Sequence, residues 1–242
     1  MAVLYRGIAV APDQVDEVVA AIRSSGELAA GGFWKNEMAR PSDVRSLSAL
    51  LALTPQNIRD AISALEQTPL TYACGDFEGA ARYALSGRGI PLVIGFDLPL
   101  ENLIVDGKDF LYTAFQLWDR SGTGHRNYVR DRLSDLFGEA ILPWFDKACT
   151  ESENMARIGW CDLAVHDIAV VEAHYLNQTV IEGRSERIFR SAFALPARVE
   201  PDCIHVIQII EGPPPAHVGS VHLGRHILDV GSAHPPQSRV TR

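Results

Sequence analysis

The hydrophobic pattern of this chain changes period several times, and each change marks an element. Residues 3–10, VLYRGIAV, are apolar apart from an Arg6-Gly7 interruption and predict a strand. Glycine inside such a run marks a bulge or a place where something comes close to the backbone. Residues 13–24 switch to a helical period, with Val15, Val18, Val19 and Ile22 on one stripe and a stop near Gly26. Residues 31–41, carrying Phe33 and Trp34 among glycines and charges, read as a loop. Residues 46–53 and 55–65 read as helices, the second with Thr54 as its N-cap and Pro55 at its first position. A short extended run, 71–74, breaks at Gly75, and Asp76 then offers an N-cap for one or two helical turns over 78–84. Residues 90–98 form an unbroken apolar run of the buried-strand type. Residues 100–105 predict another extended piece, whereas 110–118 are apolar and aromatic with no period that chooses between strand and helix.

The second half is more mixed. Helical spacing over 127–145 places Val129, Leu133, Leu136, Phe137, Ile141 and Leu142 together. Residues 120–166 read as a helical insertion between core strands, where a partner surface would sit. Residues 163–171 look strand-like, although 168–176 also fit a helix. Beyond the Gly183 turn, Glu186 stands just before Ile188-Phe189 at the opening of a strand. Residues 202–210 predict a clean buried strand and 221–230 an edge strand. The last dozen residues, rich in Pro, Ser and Arg, predict a disordered tail over 231–242. The whole predicts an α+β fold with one domain over residues 1–230.

Composition narrows the function classes. The 242 residues are 47% hydrophobic and 21% charged, with mean hydropathy near zero, as in an ordinary globular domain. A net charge of −8 and a pI near 5.5 leave no overall basic field for nucleic acid. The N-terminus lacks the pattern of a signal peptide, and no apolar run has the length of a membrane span, so a cytoplasmic setting is expected. Cys74, Cys149, Cys161 and Cys203 form no CxxC pair, and His125 and His166 have no companion at metal-ligand spacing, so no metal is expected.

Tyr72 on the predicted strand and Tyr83 on the predicted helix are separated by ten residues. Two aromatic faces turned into one groove make a slot for a flat, positively charged ring. This stretch resembles the tyrosine-(ten residues)-tyrosine segment of the diphtheria-toxin-like ADP-ribosyltransferases, in which the tyrosines sandwich the nicotinamide of NAD. Tyr5-Arg6-Gly7 is similar to the first core strand of that superfamily, with arginine where the diphtheria-like branch has histidine; arginine marks the cholera-like branch. Glu186, opening a strand behind a short loop, resembles the catalytic glutamate. Glu182 is its rival, on the near side of Gly183. Arg184 stands where arginine-modifying members carry a second glutamate, which argues against an arginine acceptor.

The resemblance implies a split antiparallel β-sandwich cleft with surrounding helices. It also implies NAD as substrate, Glu186 as the catalytic carboxylate, and a site holding NAD through Arg6, Gly7, Thr71, Tyr72 and Tyr83. Arg6 would meet phosphate or ribose, the Gly7 backbone the carboxamide, and Thr71 either the ribose or Glu186. The implied activity is mono-ADP-ribosyl transfer to an acceptor, as in a toxin or effector delivered to a target cytosol. Protein side chain, nucleic acid, small molecule and water all fit as that acceptor. Hydrolysis of NAD, or a non-catalytic nucleotide-sensing or protein-binding module on the same fold, are the alternatives.

Overall fold

The computed structural model describes residues 1–26, 71–107, 111, 114, 123–178, 180–182, 188–195, 199–213 and 221–223. The readings of 31–41, 46–53, 55–65, most of 110–118, Glu186 and the tail 231–242 lie outside the described residues.

The first strand, β1 (Ala2–Val10), leads through a 3-10 turn into α1 (Val15–Ser25), whose Val18 and Ile22 are buried. Gly26 ends α1 in the left-handed region at φ 65°, its N–H closing on the Ile22 carbonyl. Then come β2 (Thr71–Cys74), α2 (Phe77–Leu85), β3 (Ile90–Leu98) and the short β4 (Ile104–Val105). Residues 100–102 form a 3-10 turn, so only the end of the expected 100–105 extended piece pairs as strand. Four helices follow: α3 (Thr123–Phe137), α4 (Leu142–Cys149), α5 (Asn154–Ala164) and α6 (Ile168–Asn177). Their successors are β5 (Val180–Glu182), β6 (Ile188–Arg190), β7 (Ala192–Leu195), β8 (Ile204–Ile209) and β9 (Val221–Leu223).

The fold is α+β. Six strands form an antiparallel sheet in the order β4-β7-β2-β1-β3-β8. A second sheet, β6-β5-β9, is mixed rather than antiparallel, because β5 pairs with β9 in parallel. The chain passes from the small sheet to the large one at Ser191, a buried residue at φ 46° between β6 and β7.

Three sequence expectations are corrected. Residues 163–171 are not strand: they close α5 and open α6, as the helical alternative over 168–176 expects, and the Asp167 carboxylate caps the Ala169 N–H at 2.9 Å. Helix 127–145 is two helices, broken at Gly138, which takes φ 74° and bonds back to the Ser134 carbonyl. Pro143 then starts α4, where a missing N–H costs nothing. The strand expected over 202–210 is an edge strand among the described residues, with β3 its one described neighbour and Ile209 47% exposed. One continuous apolar core joins Leu4, Ile94, Phe96 and Phe193 of the large sheet to Leu133, Phe137, Trp144, Phe145 and Trp160 of the helices.

Candidate functional site

The sheet opens between its two central strands. β1 follows β3 along its whole length, from Ala2↔Leu98 to Val10↔Ile90, and β2 follows β7 from Thr71↔Leu195 to Cys74↔Ala192. Between β1 and β2 the described register holds a single pair, Tyr5↔Cys74. Next to that pair the Arg6 side chain bridges the seam, donating from Nη1 to the Tyr72 carbonyl at 3.3 Å. Its Nε is buried and meets no acceptor among the described residues. A buried N–H of this kind calls for an acceptor from water or a ligand. Burial pulls the guanidinium below its usual value, and the neighbouring Tyr83 phenol opposes that shift; an arginine remains cationic throughout the physiological range.

Arg6 is therefore the meeting point of the two tyrosine-bearing elements. Tyr72 and Tyr83 are 54% and 52% exposed, unusual for large aromatics whose chain neighbours Ala73 and Ala84 are buried. The local sequence accounts for this placement. β2 sets Tyr72 out of phase with the buried Thr71 and Ala73. α2 buries Gly79, Ala80, Ala81 and Ala84 against the sheet, so that Tyr83 falls on its outer side. Asp76 starts that helix as expected, its Oδ2 accepting from the Gly79 N–H at 3.0 Å.

At Gly7 the close approach to the backbone that the sequence leads one to expect is made by α2. A Cβ there would lie 1.9 Å from the Ala80 carbonyl oxygen and 2.8 Å from the Ala84 nitrogen. What comes close to this glycine, on its Cα side, is the backbone of α2. Thr71 is 2% exposed. Cys74 is no nucleophile. Burial first, then the Asp76 charge, push its thiol far above the ordinary range, and its Sγ donates to the Asp76 carbonyl at 3.3 Å.

Glu186 lies outside the described residues, and Glu182 is on β5 in the small sheet. The strand that follows Glu186 is fixed firmly, however. The Gly75 N–H donates to the Arg190 carbonyl at 2.6 Å, and the Arg190 N–H donates to Asp76 Oδ1 at 2.6 Å. The Arg190 guanidinium bonds the Gln178 carbonyl at 3.1 Å. Sequence reading gave Asp76 the helix cap and missed this second bond, because no local pattern announces a partner 114 positions away. It also missed His174, fully buried between α3 and β7: Nε2 accepts the Ala192 N–H at 2.9 Å and Nδ1 donates to the Leu136 carbonyl.

Among the described residues, no cluster of three or more His, Cys, Asp and Glu could hold a metal ion, and no helix is long and apolar enough to cross a membrane. Compared with protein-family models, curated proteins and solved structures, the chain matches none.

Proposed function

We propose that the chain is a mono-ADP-ribosyltransferase that cleaves the nicotinamide–ribose bond of NAD, on a split-sheet fold of the ADP-ribosyltransferase type. The observation that carries this reading is Arg6 at the seam between β1 and β2, touching the Tyr72 backbone and lying beside Tyr83, with an unsatisfied Nε. The Tyr83 phenol beside the Arg6 cation, with a half-exposed Tyr72 on the strand whose carbonyl Arg6 holds, suits a dinucleotide: the rings would take the pyridinium, and the guanidinium ribose or phosphate oxygens.

The chemistry is simple to balance. The C1′–N bond breaks with its electron pair going to nicotinamide, which leaves neutral, and positive charge develops on the ribose. An acceptor nucleophile attacks C1′ and gives up its proton. Glu186 is the carboxylate assigned to stabilise that charge and receive the proton.

The test is nicotinamide release from NAD by the purified chain, beside Glu186→Gln and Tyr72→Ala, with and without cell lysate. Release should fall ~100-fold or more in Glu186→Gln, as for loss of a group acting on the transition state, while Tyr72→Ala raises KM. Dependence on lysate would identify a transferase, and release without it a hydrolase. NAD binding with no release would point to a sensing module, and no binding at all would refute the reading.

A further inference from the structure

The turn at Gly75-Asp76 does more than start a helix. It takes both backbone groups of Arg190, the N–H on Asp76 Oδ1 and the carbonyl on the Gly75 N–H, each at 2.6 Å. The other oxygen of the same carboxylate, Oδ2, holds the Gly79 N–H in the first turn of α2. One buried side chain, 6% exposed, therefore spans two elements from distant parts of the chain. Arg190 is also the last residue of the small sheet before the chain crosses, at Ser191, into the large one.

We propose that Asp76 is a positioning residue for the NAD-cleaving site, fixing the helix that carries Tyr83 against the strand that follows Glu186. The inference rests on the function proposed above. A helix cap needs one acceptor oxygen, and any Ser, Thr or Asn supplies it. The second oxygen holds the Arg190 amide, and this bond sets distance and angle between the two elements. Charge strengthens both bonds and makes the junction stiff. Arg190 cannot shift along the Gly75-Asp76 turn without giving up these bonds, so β6 ends at a fixed point. The helix that carries Tyr83 and the strand that follows Glu186 then keep one mutual geometry, and such geometry governs the rate of bond cleavage rather than the binding of substrate.

Asp76→Ser separates the two jobs, because one hydroxyl caps Gly79 but does not also reach Arg190. The full chain is compared with this variant, with Asp76→Asn, and with both placed in a Glu186→Gln background. Asp76→Ser should lower kcat for nicotinamide release by ~10- to 100-fold with KM nearly unchanged, and should cost little further once Glu186 is replaced. Asp76→Asn, which keeps the side-chain length and one acceptor, should fall between. Amide hydrogen exchange reads the junction independently of activity: the Arg190 amide should exchange about tenfold faster in Asp76→Ser while the amides of α2 stay protected.

Unchanged Arg190 exchange overturns the proposal whether or not the chain cleaves NAD. An unchanged kcat, or an equal loss in the Glu186→Gln background, overturns it as well, since a purely structural role would act additively. Faster exchange in a chain whose wild type releases no nicotinamide keeps the bridge but refutes its catalytic use, together with the transferase reading.

Discussion

At Gly7 two demands meet in one residue. β1 must pass close enough to α2 for Ala80, Ala81 and Ala84 to bury against the sheet, and only a residue without a side chain allows it. The nearest groups are helix backbone atoms, which cannot rotate away as a side chain could. Gly7→Ala should therefore destabilise the protein by ~2–3 kcal/mol, the upper part of the usual range for overpacking. The same shift moves Tyr83, so NAD binding should weaken with it. Urea denaturation and NAD titration of the one variant check both, and a stable variant with normal binding would show that α2 does not lie on β1 as described. Arg6, the next residue back, is legible from sequence for a related reason: a guanidinium inside an apolar strand needs partners. The sequence does not say that one partner is the Tyr72 carbonyl, because that bond exists only where two strands separate.

Among elements, α6 is held to its neighbours by a buried polar side chain. His174 Nε2 faces an N–H, so it must be the acceptor, and Nδ1 then carries the proton donated to Leu136. The adjoining Ser191 hydroxyl donates to the His174 carbonyl at 2.9 Å, which fixes the crossing between the two sheets. Burial, only partly opposed by these bonds, pushes the imidazole down to about 4. In the unfolded chain it takes up a proton near its ordinary 6.5. Between these values the unfolded state binds more protons, so the stabilisation is full above pH 6.5 and fades as pH falls toward 4. Wild type should lose roughly 2–3 kcal/mol more than His174→Gln between pH 7 and 4.5, from the shift of about 2.5 units. Urea midpoints of both proteins at the two pH values measure it, and parallel losses would remove His174 from the account. Strands and helices with a clear period were legible in the sequence: β1, α1, β2, α2 and β3 fall where the pattern puts them. Residues 163–171 fitted strand as well as helix because Leu163, Ala164, Val165, Val170 and Val171 are buried, and a buried helical stretch has the apolar run of a buried strand. The Asp76–Arg190 junction and the His174 bonds were not legible, since each joins residues brought together only by the finished fold.

On the scale of the whole molecule, the helices within residues 123–164 form one wall of the core. Val129, Leu133, Leu136, Phe137, Ile141, Trp144, Phe145, Trp160 and Leu163 are all at most 2% exposed and share one cluster with the large sheet. Backbone bonds join the layers too: the Val105 N–H donates to the Val165 carbonyl at 2.9 Å, and the Val3 N–H to the Tyr175 hydroxyl at 3.1 Å. At roughly 1.5–3 kcal/mol for each large side chain fully buried, these residues together outweigh the 5–15 kcal/mol of net stability that a domain has to lose. Replacing residues 123–164 by a short Gly-Ser linker should therefore abolish cooperative folding, not merely trim a surface. The shortened chain should show no sharp thermal transition and should bind a hydrophobic dye, as a collapsed chain with loose packing does. A sharp transition near that of the full protein would mean that the sheet sustains its own core and that the helices are an accessory. The distinction reaches the candidate site, because α6 and its His174 support β7, β7 pairs with β2, and β2 carries Tyr72. If the helical layer is a wall of the core, no minimal version of the tyrosine cleft exists without it, and NAD binding should disappear with the cooperative transition.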